Sequence, residues 1–185
     1  MPESPILLDS NSYFRLAKSI HPLLNIKFGK SEYYLYVLPH LEREFATNQR
    51  LNTKFWWVNE PQYKENRQKR LSITVKEKMR IEITADILLD HKRQNGLEIS
   101  NIDIVCLAYG KILNIPVVTD DVEMREVADE FEILNNKTLE LMLLMYECRH
   151  ITIKKIQEIV AYWEHINDKP ANFRSDFMKL FGMKP

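Results

Sequence analysis

Asp9, Asp103 and the pair Asp120-Asp121 each follow an apolar run that reads as a strand, or open the helix leading to one. The segments are Ile6-Leu7-Leu8-Asp9-Ser10-Asn11, Ser100-Asn101-Ile102-Asp103-Ile104 and Ile115-Pro116-Val117-Val118-Thr119-Asp120-Asp121. In an alternating α/β chain the carboxyl ends of parallel strands gather along one edge of the sheet, where such folds build their sites. Acids held together there repel one another unless a cation shares them. A set made only of carboxylates, with no His or Cys among them, selects Mg²⁺ or Mn²⁺ rather than zinc. Each acid also has a plain structural explanation. Asp9 and Asp120 or Asp121 could cap the helices they precede, worth about 1 kcal/mol each. Asp103, three residues after Ser100, could complete a capping box. Capping asks only for some Ser, Thr, Asn or Asp, however, whereas Asp is used at all three positions of one expected edge. Together they read as a hard-metal site.

The elements that must position these acids are legible in outline. Ile6–Leu8 is too short for a helix and reads as a strand, with helix from there to about His21. Tyr33–Leu38 is β-rich, and Pro39 suits the first turn of a helix carrying Leu41, Glu42, Glu44 and Phe45. The pattern weakens between Asn48 and Arg80, although Phe55–Val58 could form a short buried strand. A helix over Lys76–Gln94 is expected to end at Gly96, and Ser100 to cap the next. Strands follow at Ile115–Thr119 and Phe131–Leu134, around a helix over Val122–Glu130. Helices are expected over Thr138–Arg149 and Thr152–His165, then an amphipathic turn or two around Phe173, Phe177 and Phe181. This alternation predicts a three-layer α/β/α sandwich with a central parallel sheet, plus a C-terminal helical extension. The expected division is residues 1–149, containing a basic and aromatic insertion at 48–80, and residues 150–185.

Composition sets the bounds. The 185 residues suffice for one well-buried domain, and 45% hydrophobic with 28% charged content is that of a soluble globular protein. Formal net charge is zero, so any basic surface must be local. Cys106 and Cys148 lack metal spacing and read as buried, reduced thiols of a cytoplasmic protein. No apolar run has membrane-spanning length and no signal-peptide pattern opens the chain, so no membrane partner is expected. With four glycines, a P-loop and a dinucleotide fingerprint are excluded. The five histidines form no site; His40 with Glu44, one turn apart, reads as an exposed helix pair. A receiver-like phosphoacceptor would want paired acids after the first strand, where Asp9 stands alone.

The three acidic segments, in this order, resemble the PIN domain family, in particular its VapC-like metal-dependent ribonucleases. That family shows an apolar strand ending Asp-Ser/Thr-Asn/Ser, a helix opening Asp-x-x-x-x-x-Ala (here Asp103 to Tyr109, with Ala108 near the Ala position) and a strand ending Thr-x-Asp. Phe131–Leu134 followed by Leu139–Met142 is similar to its last strand and helix, and the resemblance covers about residues 5–145. It usually adds a Glu on the helix after the second strand, which by register is Glu44, with Glu42 the alternative; two residues apart on a helix, only one could reach the site. The resemblance therefore implies metal ligands and catalytic residues Asp9, Glu44, Asp103 and Asp121, with Asp120 assisting or merely capping. Ser10 and Thr119 are candidates to orient the acids by hydrogen bonding. The implied activity is Mg²⁺- or Mn²⁺-dependent endoribonuclease cleavage of RNA, with a toxin's role beside an antitoxin protein as one setting. The helices after Thr152 depart from the shorter toxins and would serve homodimerisation or antitoxin docking.

Between Arg50 and Arg80 nine basic residues face three acids, interleaved with Phe55, Trp56, Trp57 and Tyr63. Charge for phosphates and rings for bases are what single-stranded RNA requires, which nominates Lys54, Trp56, Arg67, Lys69 and Arg70. The alternative is that the rings fill a core and the charges coat solvated helices. A non-catalytic PIN-like module binding RNA or a protein is the competing function.

Overall fold

The computed structural model describes residues 3–20, 23–65 and 67–185, apart from the side chains at positions 23 and 44. His21 and the Glu44 side chain therefore lie outside the described residues. Strand β1 (Ser4–Leu8) leads into α1 (Ser10–Ile20), and β2 (Tyr33–Val37) into α2 (His40–Thr47). Two short helices, α3 (Gln49–Lys54) and α4 (Pro61–Glu65), flank a 3₁₀ turn at Trp56–Asn59. The long α5 (Val75–Asn95) is followed by α6 (Asn101–Leu113), β3 (Val117–Val118), α7 (Val122–Glu130) and β4 (Asn135–Asn136). The chain then continues through α8 (Thr138–Glu147), α9 (Ile153–His165) and α10 (Phe173–Phe181).

All four strands are parallel, in the order β2-β1-β3-β4. Side-chain alternation splits the interior into two cores. Ile6, Leu8, Leu35, Val37 and Val118 join α1, α8, α9 and α10 on one face, while Leu7, Tyr34, Tyr36 and Val117 join α5, α6 and α7 on the other. Period-2 patterning thus produces an α/β fold with helices against both faces of the sheet, consistent with the expected three layers. Trp163 of α9 is fully buried and its indole N–H donates to the Arg15 carbonyl at 3.0 Å, so the C-terminal helices share the core of α1.

Local signals account for the helix ends. Thr74 and Glu77 form a reciprocal capping box, Gly96 closes α5 at φ +64°, and Ser100 and Thr152 cap α6 and α9. Two expected strands differ. Phe131–Leu134 is not a strand: Phe131 closes α7, Glu132 turns at φ +52°, and pairing begins at Asn135. Phe55–Val58 is not one either, although Phe55, Trp57 and Val58 are buried as a 3₁₀ turn places them. Likewise the strand expected over Ile115–Thr119 contracts to two residues, and α8 stops at Glu147.

Gly110 of α6 leaves no room for a side chain between the helix and the sheet. A Cβ there would lie 2.5 Å from Val117 Cγ2 and 3.1 Å from Ile133 Cγ2, both in side chains the core holds in place. We expect Gly110→Ala to cost about 1–3 kcal/mol despite the better helix propensity of Ala, lowering the melting temperature by several degrees. Thermal denaturation followed by circular dichroism checks this, and an unchanged or raised melting point would refute the packing argument.

Candidate metal and phosphodiester site

Because the strands run parallel, the helices that follow them start at the sheet's carboxyl edge, and α6, which leads into β3, starts there too. The amino ends of α1, α2, α6, α7 and α8 thus all face one edge, and their dipoles favour negative charge at it. Strand order reverses beside β1, and Asp9 sits at that switch point.

Asp9 is built in from several sides. Its N–H donates to the Val118 carbonyl at 3.1 Å, and its own carbonyl accepts from Tyr13 N–H, starting α1. Oδ1 accepts the Ser12 N–H, so the expected cap is real. Yet the side chain is only 2% exposed, and Oδ2 is buried with no donor in hydrogen-bonding geometry. Burial pushes the Asp9 carboxyl up to about 7; hydrogen bonding from Thr119 and Ser12 pulls it partly back, and the charge of Asp103 adds to the rise. A capping residue has no need of a second, orphaned oxygen in the interior.

Asp103 lies in the first turn of α6, its N–H donating to Ser100 Oγ at 3.1 Å. Asp9, Ser10, Asp103, Cys106, Leu38 and Leu41 line a depression of about 10 Å³, room for one water- or ion-sized occupant. Cys106 is one turn beyond Asp103, and its thiol is raised well above the usual range by burial, then by Asp9 and Asp103. That keeps it protonated, an inert wall rather than a soft ligand.

The third acidic segment divides its two aspartates. Asp120 turns away into a polar network, accepting the Thr138 N–H at 3.0 Å, the Thr138 hydroxyl at 2.6 Å and Arg15 Nη1 at 2.8 Å. The expected assistance from Asp120 is thus replaced by a structural role tying α1 to α8. Asp121 is exposed and caps α7, Oδ1 accepting the Met124 N–H at 2.8 Å. Its N–H donates to the Thr119 hydroxyl at 3.1 Å, so the buried Thr119 stands between Asp9 and Asp121. Glu42, the alternative to Glu44, is engaged elsewhere: its Oε1 accepts Arg67 Nε at 2.8 Å. Among the described residues no group of three or more His, Cys, Asp or Glu side chains is placed to hold a metal ion. The pair Asp9 and Asp103 is what the fold brings together.

The residues nominated for RNA disperse. Arg67 is 3% exposed, its Nη1 donating to the Tyr13 hydroxyl at 2.6 Å and the Tyr63 carbonyl at 3.0 Å; it is a core residue, not a surface contact. Lys69 Nζ contacts Glu3 at 2.5 Å and lies 3.9 Å from the Tyr34 ring centroid, and Arg70 donates to the Arg67 carbonyl. Lys54 pairs with Asp168 at 3.1 Å, while Trp56 is 62% exposed. Sequence reading missed Arg15, which with Asn11, Arg50, Lys54 and Phe55 lines a cleft entered from α1. The available signal was the spacing of Asn11 and Arg15, one turn apart just after the Asp9 cap. No protein-family model and no curated protein matches this chain.

Proposed function

We propose that the chain is a PIN-like, Mg²⁺- or Mn²⁺-dependent endoribonuclease. The observation that carries this reading is the buried Asp9 carboxylate, its Oδ2 unpartnered and its pKa raised to about 7, facing a second acid across an ion-sized depression. Such a group is costly in an empty protein and is relieved by a hard cation, which the all-oxygen donor pair fits. Asp9 and Asp103 would hold the ion, with Glu44 and Asp121 the carboxylates that the resemblance adds. When bound, the ion supplies Lewis acidity toward water and the phosphate oxygens. The rest falls to the chain. Ser12 N–H and Thr119 fix the orientation of Asp9. The helix amino ends favour a phosphate at this edge, and Arg50 in the neighbouring cleft, where Arg15 and Lys54 are already paired with Asp120 and Asp168, would hold a further phosphate of the strand. Beside a cognate antitoxin such an activity would make the protein a toxin, acting in the cytoplasm.

A second reading, a non-catalytic PIN-like module binding RNA or a protein, is favoured by the structural commitment of Asp120 and the capping role of Asp121. One experiment separates the two. Labelled single-stranded RNA is incubated with Mn²⁺ or Mg²⁺, with EDTA and Asp103→Asn as controls, and Mn²⁺ binding is read separately as a rise in melting temperature. We expect metal-dependent cleavage that drops at least about a hundredfold in the variant, which stays folded because Asn keeps the size of Asp. RNA retention and Mn²⁺ binding without cleavage would establish the binding module; absence of any Mn²⁺ effect would leave Asp9 a helix cap and Asp103 a first-turn acid of α6.

A further inference from the structure

Beside the proposed metal edge, α1, α3 and the loop after α9 enclose a cleft of about 230 Å³. Among the described residues its lining carries three cations, Arg15, Arg50 and Lys54, and one acid, Asp168. Asn11, two residues after Asp9, also lines it, so the cleft adjoins the site along α1. Asp168 reaches across it: Oδ1 lies 3.1 Å from Lys54 Nζ, and Oδ2 lies 4.0 Å from Arg15 Nε.

As a purely structural ion pair this arrangement is poor. A separation of 4.0 Å is beyond hydrogen-bond distance, and Arg15 Nε is buried without an acceptor. The guanidinium is held at its other end, Nη1 donating to Asp120 Oδ2 at 2.8 Å, so Arg15 cannot swing to close the gap without giving up that bond. Lys54 is 42% exposed, and an ion pair at such a position contributes little to folding. Arg50 is exposed and adds a third positive charge. The cleft is thus short of negative charge and of one acceptor.

The backbone of Asp168 is nevertheless fixed. Its N–H donates to the Trp163 carbonyl at 2.9 Å and Asn167 turns at φ +50°, closing α9. Trp163 is in turn bonded to the Arg15 carbonyl. Only the Asp168 side chain need rotate for the carboxylate to leave the cleft.

We propose, resting on the reading of this edge as an RNA site, that the cleft is a subsite for one phosphate of the strand and that Asp168 holds its place in the free protein. A phosphodiester carries the same single charge as the carboxylate but more oxygens, enough for Arg15 Nε, Lys54 and Arg50 together. Binding is then an exchange of one anion for another, and the segment after α9 is a built-in competitor of the strand.

Wild type, Asp168→Asn, Lys54→Ala and the double variant are compared as full chains in EDTA, so that no cleavage intervenes. The probes are a labelled oligouridylate, followed by fluorescence anisotropy at several salt concentrations, and inorganic pyrophosphate, followed by calorimetry. Asp168→Asn is expected to tighten both about three- to tenfold, and to steepen the salt dependence for RNA by about 0.7 per cation released. Asp168→Ser, a second neutral change, should act alike, with circular dichroism confirming each fold. Lys54→Ala should weaken both probes and remove most of the gain from Asp168→Asn, since it takes away the cation that the carboxylate covers. Pyrophosphate affinity that is unchanged or lower in Asp168→Asn and Asp168→Ser would overturn the exchange. So would a gain undiminished in the Lys54→Ala background, which would be a general charge effect. Tightening of pyrophosphate alone would leave the exchange standing and overturn the assignment of the cleft to RNA.

Discussion

In EDTA at pH 8, Asp9→Asn is expected to melt roughly 5 °C above the wild type, and with Mn²⁺ in place of EDTA to lack both the proposed RNA cleavage and any stabilisation by the ion. Most single changes in a core destabilise; this one should not, because the charge it removes is one the fold tolerates poorly. The Asp9 carboxyl is raised from an ordinary value of 3.8 to about 7, first by burial and then by Asp103, against the pull of Thr119 and Ser12. In the unfolded chain the group ionises near pH 4, so between about pH 4 and 7 the folded state holds the extra proton. Stability from this group is therefore complete below pH 4 and is lost as pH rises through 7, a cost of roughly 4 kcal/mol in the metal-free protein. Asn carries no charge and keeps the oxygen that accepts the Ser12 N–H, but its amide group at the Oδ2 position would be a buried donor lacking a partner. That returns about 1–3 kcal/mol of the gain, leaving a net rise of a few degrees. Paired thermal melts across pH 4–8 provide the check: the variant should melt below the wild type near pH 4, cross it as pH rises, and lie above it by pH 8. A gap independent of pH would mean that Asp9 is ionised and satisfied in the metal-free fold.

The same residue shows how far the sequence could be read. Asp9 was legible because three apolar residues precede it and Ser-Asn follow, a pattern that places an acid at the end of a strand. Caps at Ser100 and Gly96 were equally local, and each stands where its chemistry predicts. What was hidden depends on distant partners. Strands β3 and β4 are two residues each, and their place in the sheet comes from pairing Val117 with Leu7 and Asn135, which no periodicity over two residues can encode. Asp120 and Asp121 were indistinguishable as neighbours; Thr138, 18 residues later, and Arg15, 105 residues earlier, claim the first of them.

The stretch between Arg50 and Arg80 was misleading for a related reason, since composition records charge and not direction. Basic residues interleaved with rings describe an RNA-facing surface, but they also describe a guanidinium packed among aromatic side chains. Phe55, Trp57 and Tyr63 are buried, and their rings pack edge to face in sequence, with Phe55 stacked on Phe14 at 4.6 Å. The insertion thereby becomes part of the core beneath α1, and the only large ring it presents to solvent among the described residues is Trp56.

Arg67→Ala should consequently fail as a test of RNA binding and succeed as a test of the core. We expect it to destabilise the fold by about 3–5 kcal/mol, lowering the melting temperature by roughly 10 °C. The guanidinium is 3% exposed and donates to the Tyr13 hydroxyl at 2.6 Å and to the carbonyls of Val58 at 3.2 Å and Tyr63 at 3.0 Å, while Nε and Nη2 each lie 2.8 Å from Glu42 Oε1. Removing it would take the Arg67 bond from the Val58 carbonyl, leave the Tyr13 hydroxyl and the Tyr63 carbonyl only their long 3.4 Å bond to each other, and open a cavity among the rings, each loss costing about 1–3 kcal/mol unless water enters. The Glu42 pair itself contributes less, since that carboxylate is 44% exposed and screened by solvent. Arg67→Lys should recover only part of the loss, because an ammonium group cannot reach the carbonyls and Glu42 together from one planar fork. Thermal melts measure the stability change. The distinguishing reading is the salt dependence of RNA affinity at a temperature where both proteins are folded: removing a phosphate contact would flatten its slope by about one ion, whereas removing a core arginine should leave it unchanged. A flattened slope with an undiminished melting point would place Arg67 on the RNA after all.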